Sequence, residues 1–222
     1  MASYLILGAG EFGRLALRRL ADQDREARFL MVDHRAEALA EARALGVPKA
    51  EMLEANAIPY LAALLGPDFS WDWLIPMVPI HVAYTWLLEG PLAGEDWEPT
   101  DVPKDLEGLA AMAIRGPQGE LYLSQAKHLC PDDCAEPAVC PVTSEDREPP
   151  LFRRLSEASR PGLPILVVAS RQLAPGVGGY APQQLRELAD AVAGASGPVL
   201  VATACRCHGV VHGLKRKGER QA

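Results

Sequence analysis

The sequence has no long uncharged apolar run. The nearest approach, Trp73 to Leu88, is shorter than the ~20 residues a spanning helix needs, and Pro76 and Pro79 interrupt it. No membrane span is expected. A surplus of basic residues is also missing: Lys and Arg number 22 against 29 Asp and Glu, giving a net charge of −7. A phosphate backbone has no general electrostatic reason to bind such a chain, so nucleic acid is not an expected partner. The opening residues MASYLILGAGEFG lack the basic region and small-residue cleavage site of a secretory signal, and a cytoplasmic location is expected. No internal repeat is apparent, which excludes a solenoid. Cysteine is limited to five residues, an odd number. In a reducing compartment these read as metal ligands or reactive thiols rather than a disulfide framework.

What is present is ample core material, 49% apolar residues in a chain of 222. Tyr4–Leu7 reads as a buried strand, Glu11–Asp22 as an amphipathic helix, Phe29–Val32 as a second strand and Ala36–Leu45 as a second helix. A helix over Ala57–Leu65, a strand over Trp73–Val78 and a helix over Ile80–Glu89 follow. From Gly90 to Arg160 prolines and acids crowd in, and Leu109–Arg115 with Glu120–Gln125 reads as a β-hairpin. The alternation then resumes with a strand at Ile165–Ala169, a helix at Pro182–Val192 and a strand at Val199–Thr203. The expected fold is α/β, a doubly wound, mostly parallel, Rossmann-like sheet. Residues 1–90 and 161–214 would form it, with a Cys/Pro-rich hairpin subdomain inserted over residues 91–160. Lys215, Arg216 and Lys217 would begin a solvated basic tail over residues 215–222.

Gly8-Ala9-Gly10-Glu11-Phe12-Gly13 matches G-x-G-x-x-G between a predicted strand and a predicted helix, and Asp33 follows about twenty residues after the last glycine. Gly8 would turn tightly, Gly10 would admit a pyrophosphate, and Gly13 would let helix pack on strand. Glu11 and Phe12 complete the loop, and the helix N-terminus would face the phosphates. Asp33 would accept the adenosine ribose hydroxyls, which favours NAD. Arg35 leaves NADP open, and FAD uses the same loop. Residues 4–35 resemble the TrkA-N (RCK-type) NAD-binding domain, whose first turn often reads much like Gly-Ala-Gly-Glu-Phe-Gly-Arg. A weaker resemblance, also confined to the Rossmann core, is to the amino-terminal domain of precorrin-2 dehydrogenase. Carried over, the likeness implies Gly8, Gly10 and Gly13 on the phosphates and Asp33 on the ribose.

All five cysteines fall in two tracts: Cys130, Cys134 and Cys140 as C-x3-C-x5-C, and Cys205-Arg206-Cys207-His208. Thiolates gather this way to grip a soft metal or a cluster from several sides. Three from one loop need a fourth from Cys205, Cys207 or His208, with His212 a further candidate. Cys130-Pro131 and Cys140-Pro141 match the Cys-Pro of ferredoxin-type loops and lean toward an iron–sulfur cluster, with zinc close behind.

In an open α/β sheet, ligands bind beyond the carboxyl ends of the strands. His81, as a general acid or base, and Arg171, as an anchor for an anionic group, lie near such ends and are the catalytic candidates. The expected function is an NAD-dependent oxidoreductase acting on an unidentified small molecule. The alternative is a nucleotide- or redox-sensing module without turnover. A homo-oligomer is compatible with either.

Overall fold

The structure is a computed structural model that describes residues 1–66 and 69–218. The first half follows the predicted alternation, with one unexpected strand over Ala50–Glu54. Strands β1 (Ser3–Leu7), β2 (Arg28–Asp33), β3 (Ala50–Glu54) and β4 (Trp73–Pro76) form a parallel sheet in the order β3-β2-β1-β4. Helices α1 (Glu11–Gln23), α2 (Ala36–Arg43), α3 (Ala57–Leu64) and α4 (Val82–Glu89) connect or follow them. Period-2 alternation divides β1 between the two faces of the sheet. Tyr4 and Ile6 join Leu17 and Leu20 of α1 and Leu39 of α2 on one side, while Leu5 and Leu7 join Leu61 of α3 and Leu87 of α4 on the other. Helices on both faces explain why these strands read as continuous apolar runs.

The second half departs from the expected single sheet. Strands β5 (Trp97–Thr100), β6 (Met112–Arg115), β7 (Leu121–Ser124), β8 (Ile165–Ala169), β11 (Val199–Ala204) and β12 (His208–Arg216) form a separate mixed sheet. Its order is β6-β7-β12-β11-β8, with β5 paired to the far end of β12. Strands β8 and β11 are parallel to each other but do not continue the first sheet. Residues 91–160 are therefore not a free-standing insertion: β5, β6 and β7 complete the sheet that β8, β11 and β12 begin. The physical reason is β12, a nine-residue strand that pairs β11 on one edge and both β5 and β7 on the other. The expected hairpin of residues 109–125 is present as β6 and β7.

The start of the expected basic tail is also built into this sheet. Lys215 pairs with Glu98 at 3.3 Å, and the Arg216 guanidinium lies 4.3 Å over the Trp97 ring. Residues 219–222 of that tail lie outside the described residues.

Helix α6 (Pro182–Ala193), α3 and α4 fill the space between the two sheets, where Leu185 and Leu188 meet Val199 and Val201 of β11. Helix α5 (Leu151–Glu157) covers the opposite face of the second sheet through Leu151 and Leu155. A hairpin of β9 (Arg171–Ala174) and β10 (Val177–Gly179) links the halves. Beyond β10, Tyr180 exchanges two backbone hydrogen bonds with Leu74 of β4. Among the described residues no helix is long and apolar enough to cross a membrane.

Candidate functional site

The glycine loop has two glycines that the fold demands and one that it does not. Gly8 sits at φ +108°, a conformation side chains rarely adopt, and donates its N–H to the Val32 carbonyl at 2.8 Å. A Cβ on Gly13 would fall 2.0 Å from the Gly8 carbonyl oxygen, so only glycine allows α1 to approach β1 this closely. Gly10 is the N-cap of α1 with φ −64° and ψ −171°, which any residue adopts, and a Cβ there would meet only the Arg35 guanidinium at 3.7 Å. Glu11 is exposed in the first turn of α1, and Phe12 is 65% exposed beside it.

Asp33 ends β2 and is buried. Its carboxylate accepts the Ala9 N–H at 2.7 Å, the Arg35 N–H at 2.9 Å and both side-chain nitrogens Nε and Nη2 of Arg35 at 3.1 Å. Burial works to raise its pKa, but the Arg35 side-chain bonds, the two backbone donors and the Arg35 charge outweigh it and hold the group at about 2. Asp33 is thus ionised and aimed at the glycine loop, with the Arg35 side chain over it.

The thiol segments come together. Phe12, Cys130, Cys134, Cys205, Cys207 and His208 share the wall of one cavity of about 320 Å³, which also takes in Ser170 after β8. The carboxyl ends of β1, β8 and β11 therefore converge even though they belong to two sheets. The loop carrying Cys130 and Cys134 is seated on the β9–β10 turn: Gly176 N–H and Gln172 Nε2 both donate to the Cys134 carbonyl. The glycine-rich stretch 176–179 is the hairpin's turn and second strand. Gly176 is at φ +68°, and a Cβ there would strike the Asp132 carbonyl.

Within the cluster the thiols have distinct partners. Arg147 donates to Cys207 Sγ at 2.7 Å and to Cys134 Sγ at 3.4 Å. Cys205 Sγ accepts the N–H groups of Cys207 and His208 at 3.4 Å, inside the tight β11–β12 turn, where burial followed by the nearby Glu136 pushes its pKa up to about 12. Cys140 is held the other way: the backbone N–H groups of Thr143 and Val142 lower its pKa. His128 Nε2 stands 3.7 Å from Cys140 Sγ and 3.9 Å from Cys130 Sγ, and His208 Nε2 stands 4.0 Å from Cys130 Sγ. Among the described residues, no three His, Cys, Asp or Glu side chains are grouped, as they stand, so as to hold a metal ion. Arg147, His128 and Glu136 were not legible as site residues. Only the His-x-Cys spacing of His128 and Cys130 offered a signal.

The catalytic candidates fall elsewhere. His81 caps α4 and is tied between the sheets, with Nδ1 3.0 Å from His212 Nδ1 and Nε2 2.9 Å from Thr203 Oγ1. Burial lowers both histidine pKa values, His212 adding to the effect at His81 while Glu120 opposes it at His212. The His212 ring stacks on Tyr84 at 4.1 Å. Neither histidine lines the thiol cavity. His212 lies in β12, four residues along that strand from His208. Arg171 is exposed on β9 and also outside the cavity lining, which its neighbours Ser170 and Gln172 reach. A larger cleft of about 710 Å³ beside Lys104, Arg115 and Arg160 contains neither a cysteine nor a glycine-loop residue.

Against known proteins, the chain is 30% identical over 225 residues to an uncharacterized protein of Archaeoglobus fulgidus, covering 96% of this chain and 99% of that one. No solved structure matches it. A family model described as AF_1314_C, uncharacterized protein, C-terminal domain, matches residues 73–217. That region runs from β4 to the end of the second sheet and holds every cysteine, while the glycine loop precedes it. With more than half of its length matched, the chain belongs to the AF_1314 C-terminal domain family.

Proposed function

We propose that the chain binds a nicotinamide dinucleotide across the carboxyl ends of β1, β2 and β4, and that it is an NAD-dependent oxidoreductase with a cysteine-held metal centre beside the nicotinamide end. The observation that carries this reading is Gly10. The backbone needs no glycine there and the space above it is open to all but Arg35, as a close-approaching pyrophosphate requires. The parallel order β3-β2-β1-β4 with helices on both faces is that of the first half of a Rossmann-like, doubly wound fold and supports the same assignment. The α1 N-terminus then faces the phosphates, and Asp33 offers its carboxylate to the ribose once Arg35 swings aside. NADP or FAD would use the same loop with different partners at Arg35. Bound nicotinamide supplies a hydride, and the cavity that begins at Phe12 is where a small substrate meets it.

A second reading, a redox- or nucleotide-sensing module without turnover, draws on one observation. His81 and Arg171, the acid–base and anchoring candidates, do not line the cavity.

Titrating protein purified without oxygen with NADH and with NADPH, followed by nicotinamide fluorescence, tests the binding step. Saturation at one NADH per chain, tighter than NADPH, is expected, and no saturation with either overturns it. Consumption of bound NADH in the presence of small carbonyl compounds separates the enzyme from the sensor.

A further inference from the structure

Seven soft donors crowd the thiol segments, but they do not stand as equals. Cys134 and Cys207 already share a cation, the Arg147 guanidinium, which bonds both sulfurs. Cys205 Sγ faces the Glu136 carboxylate rather than another soft donor, and the two backbone N–H groups it accepts set the position of His208. Four donors remain, and they form a chain of near neighbours: His208 Nε2 to Cys130 Sγ at 4.0 Å, Cys130 Sγ to His128 Nε2 at 3.9 Å, and His128 Nε2 to Cys140 Sγ at 3.7 Å. These separations are long for hydrogen bonds to a thiol. They are somewhat longer than those of ligands sharing one ion: a sulfur at ~2.3 Å and a nitrogen at ~2.0 Å from a tetrahedral zinc stand about 3.5 Å apart.

We infer that His128, Cys130, Cys140 and His208 are the four ligands of a mononuclear zinc-type site, and that Cys134, Cys205 and Cys207 are not ligands. The inference deepens the metal part of the function proposed above and does not depend on the dinucleotide.

Two features favour the quartet. Two thiols and two imidazoles form a complete tetrahedral set for a borderline-soft divalent ion. Three ligands come from one proline-bounded loop and the fourth from the hairpin turn across from it, so the ion would lock the loop onto the second sheet. The donors as they stand do not yet meet at a point. Closing the site takes a rearrangement of these side chains. Binding of the divalent ion releases the two thiol protons, one from each cysteine, and leaves both imidazoles neutral.

The test is cobalt substitution of the full chain, followed by absorption spectroscopy and metal analysis. One Co²⁺ per chain is expected, with the intense visible bands of a tetrahedral site and the near-ultraviolet charge transfer of two thiolates. Cys140→Ser and His128→Asn lose at least tenfold in affinity, while Cys134→Ser and Cys207→Ser keep both the affinity and the spectrum. His128→Cys, which restores a soft donor, binds Co²⁺ again with stronger charge transfer, so a variant lost to misfolding does not obscure the outcome. The assignment is overturned if Cys134→Ser or Cys207→Ser abolishes the bands, if His128→Asn leaves them unchanged, or if the native protein carries iron with the broad visible absorption of an iron–sulfur cluster. NADH titration of the same samples reads the dinucleotide proposal separately.

Discussion

Arg19 on α1 grips Asp132 in the thiol loop: Nη1 donates to the Asp132 carbonyl at 2.7 Å, and Nη2 reaches its carboxylate at 3.3 Å. The same Nη1 donates to the Pro175 carbonyl at the β9–β10 turn at 3.0 Å. One side chain of the helix that follows the glycine loop thus pins both segments that carry the cavity wall. Arg19→Ala should cost about 0.5–1.5 kcal/mol, the net worth of hydrogen bonds whose acceptors water can partly reach. It should also speed hydrogen exchange across residues 130–140 while leaving β1 and β2 protected. Uniform exchange across the chain would show that the loop is held by something else.

The glycines of the first turn should separate by role. Gly13→Ala places a Cβ 2.0 Å from a backbone oxygen and should destabilise the protein by roughly 3 kcal/mol or more. Gly10→Ala meets only a mobile guanidinium and should cost no more than about 1 kcal/mol, the loss of a tolerated N-cap residue. Urea unfolding of the two variants gives the comparison directly.

The His81–His212 pair fixes a pH dependence of stability. Burial holds both folded pKa values below the ordinary histidine value of 6.5, so below that pH the unfolded chain takes up protons that the folded chain refuses. Stability is then fully present above pH 6.5 and falls as the pH drops toward the folded values, by up to about 1.4 kcal/mol per pH unit for each histidine. His212→Gln should roughly halve that slope, as read from denaturant midpoints between pH 5 and 7. An unchanged slope would place the acid sensitivity on other groups.

Arg35 should govern nucleotide preference. Its side chain holds two of the bonds to Asp33, so Arg35→Ala frees the carboxylate for ribose hydroxyls while removing a cation that a 2′-phosphate could use. The ratio of NADH to NADPH affinity should rise several-fold, and a fall in that ratio would mean Asp33 does not face the ribose.

The parts of the fold that were legible were local. Gly8 and Gly13 are required within one β-α-β unit, and the hairpin of β6 and β7 is announced by Gly116-Pro117-Gln118-Gly119 between its strands. The division into two sheets was not legible, because it depends on β12 pairing with β5 and β7 roughly a hundred residues earlier. Strand β12 itself was obscured by His208 and His212: residues four apart share a face in a helix and also in a strand, so the spacing does not discriminate. Strand β3, Ala-Glu-Met-Leu-Glu, has two acids and no β-branched residue, and it is a strand because β2 offers it an edge. In the site, cysteine spacing picked out two tracts that share one cavity wall. It could not show which thiols Arg147 occupies, because a single arginine in a proline-rich loop carries no pattern.

Calorimetric titration of NADH into the native chain and into Gly10→Val tests the central claim most directly. The native protein should bind one NADH per chain, and the valine variant, equally folded, should bind at least tenfold more weakly because its side chain fills the space above the turn. Equal affinity in both, or no heat of binding to the native protein, would contradict the account.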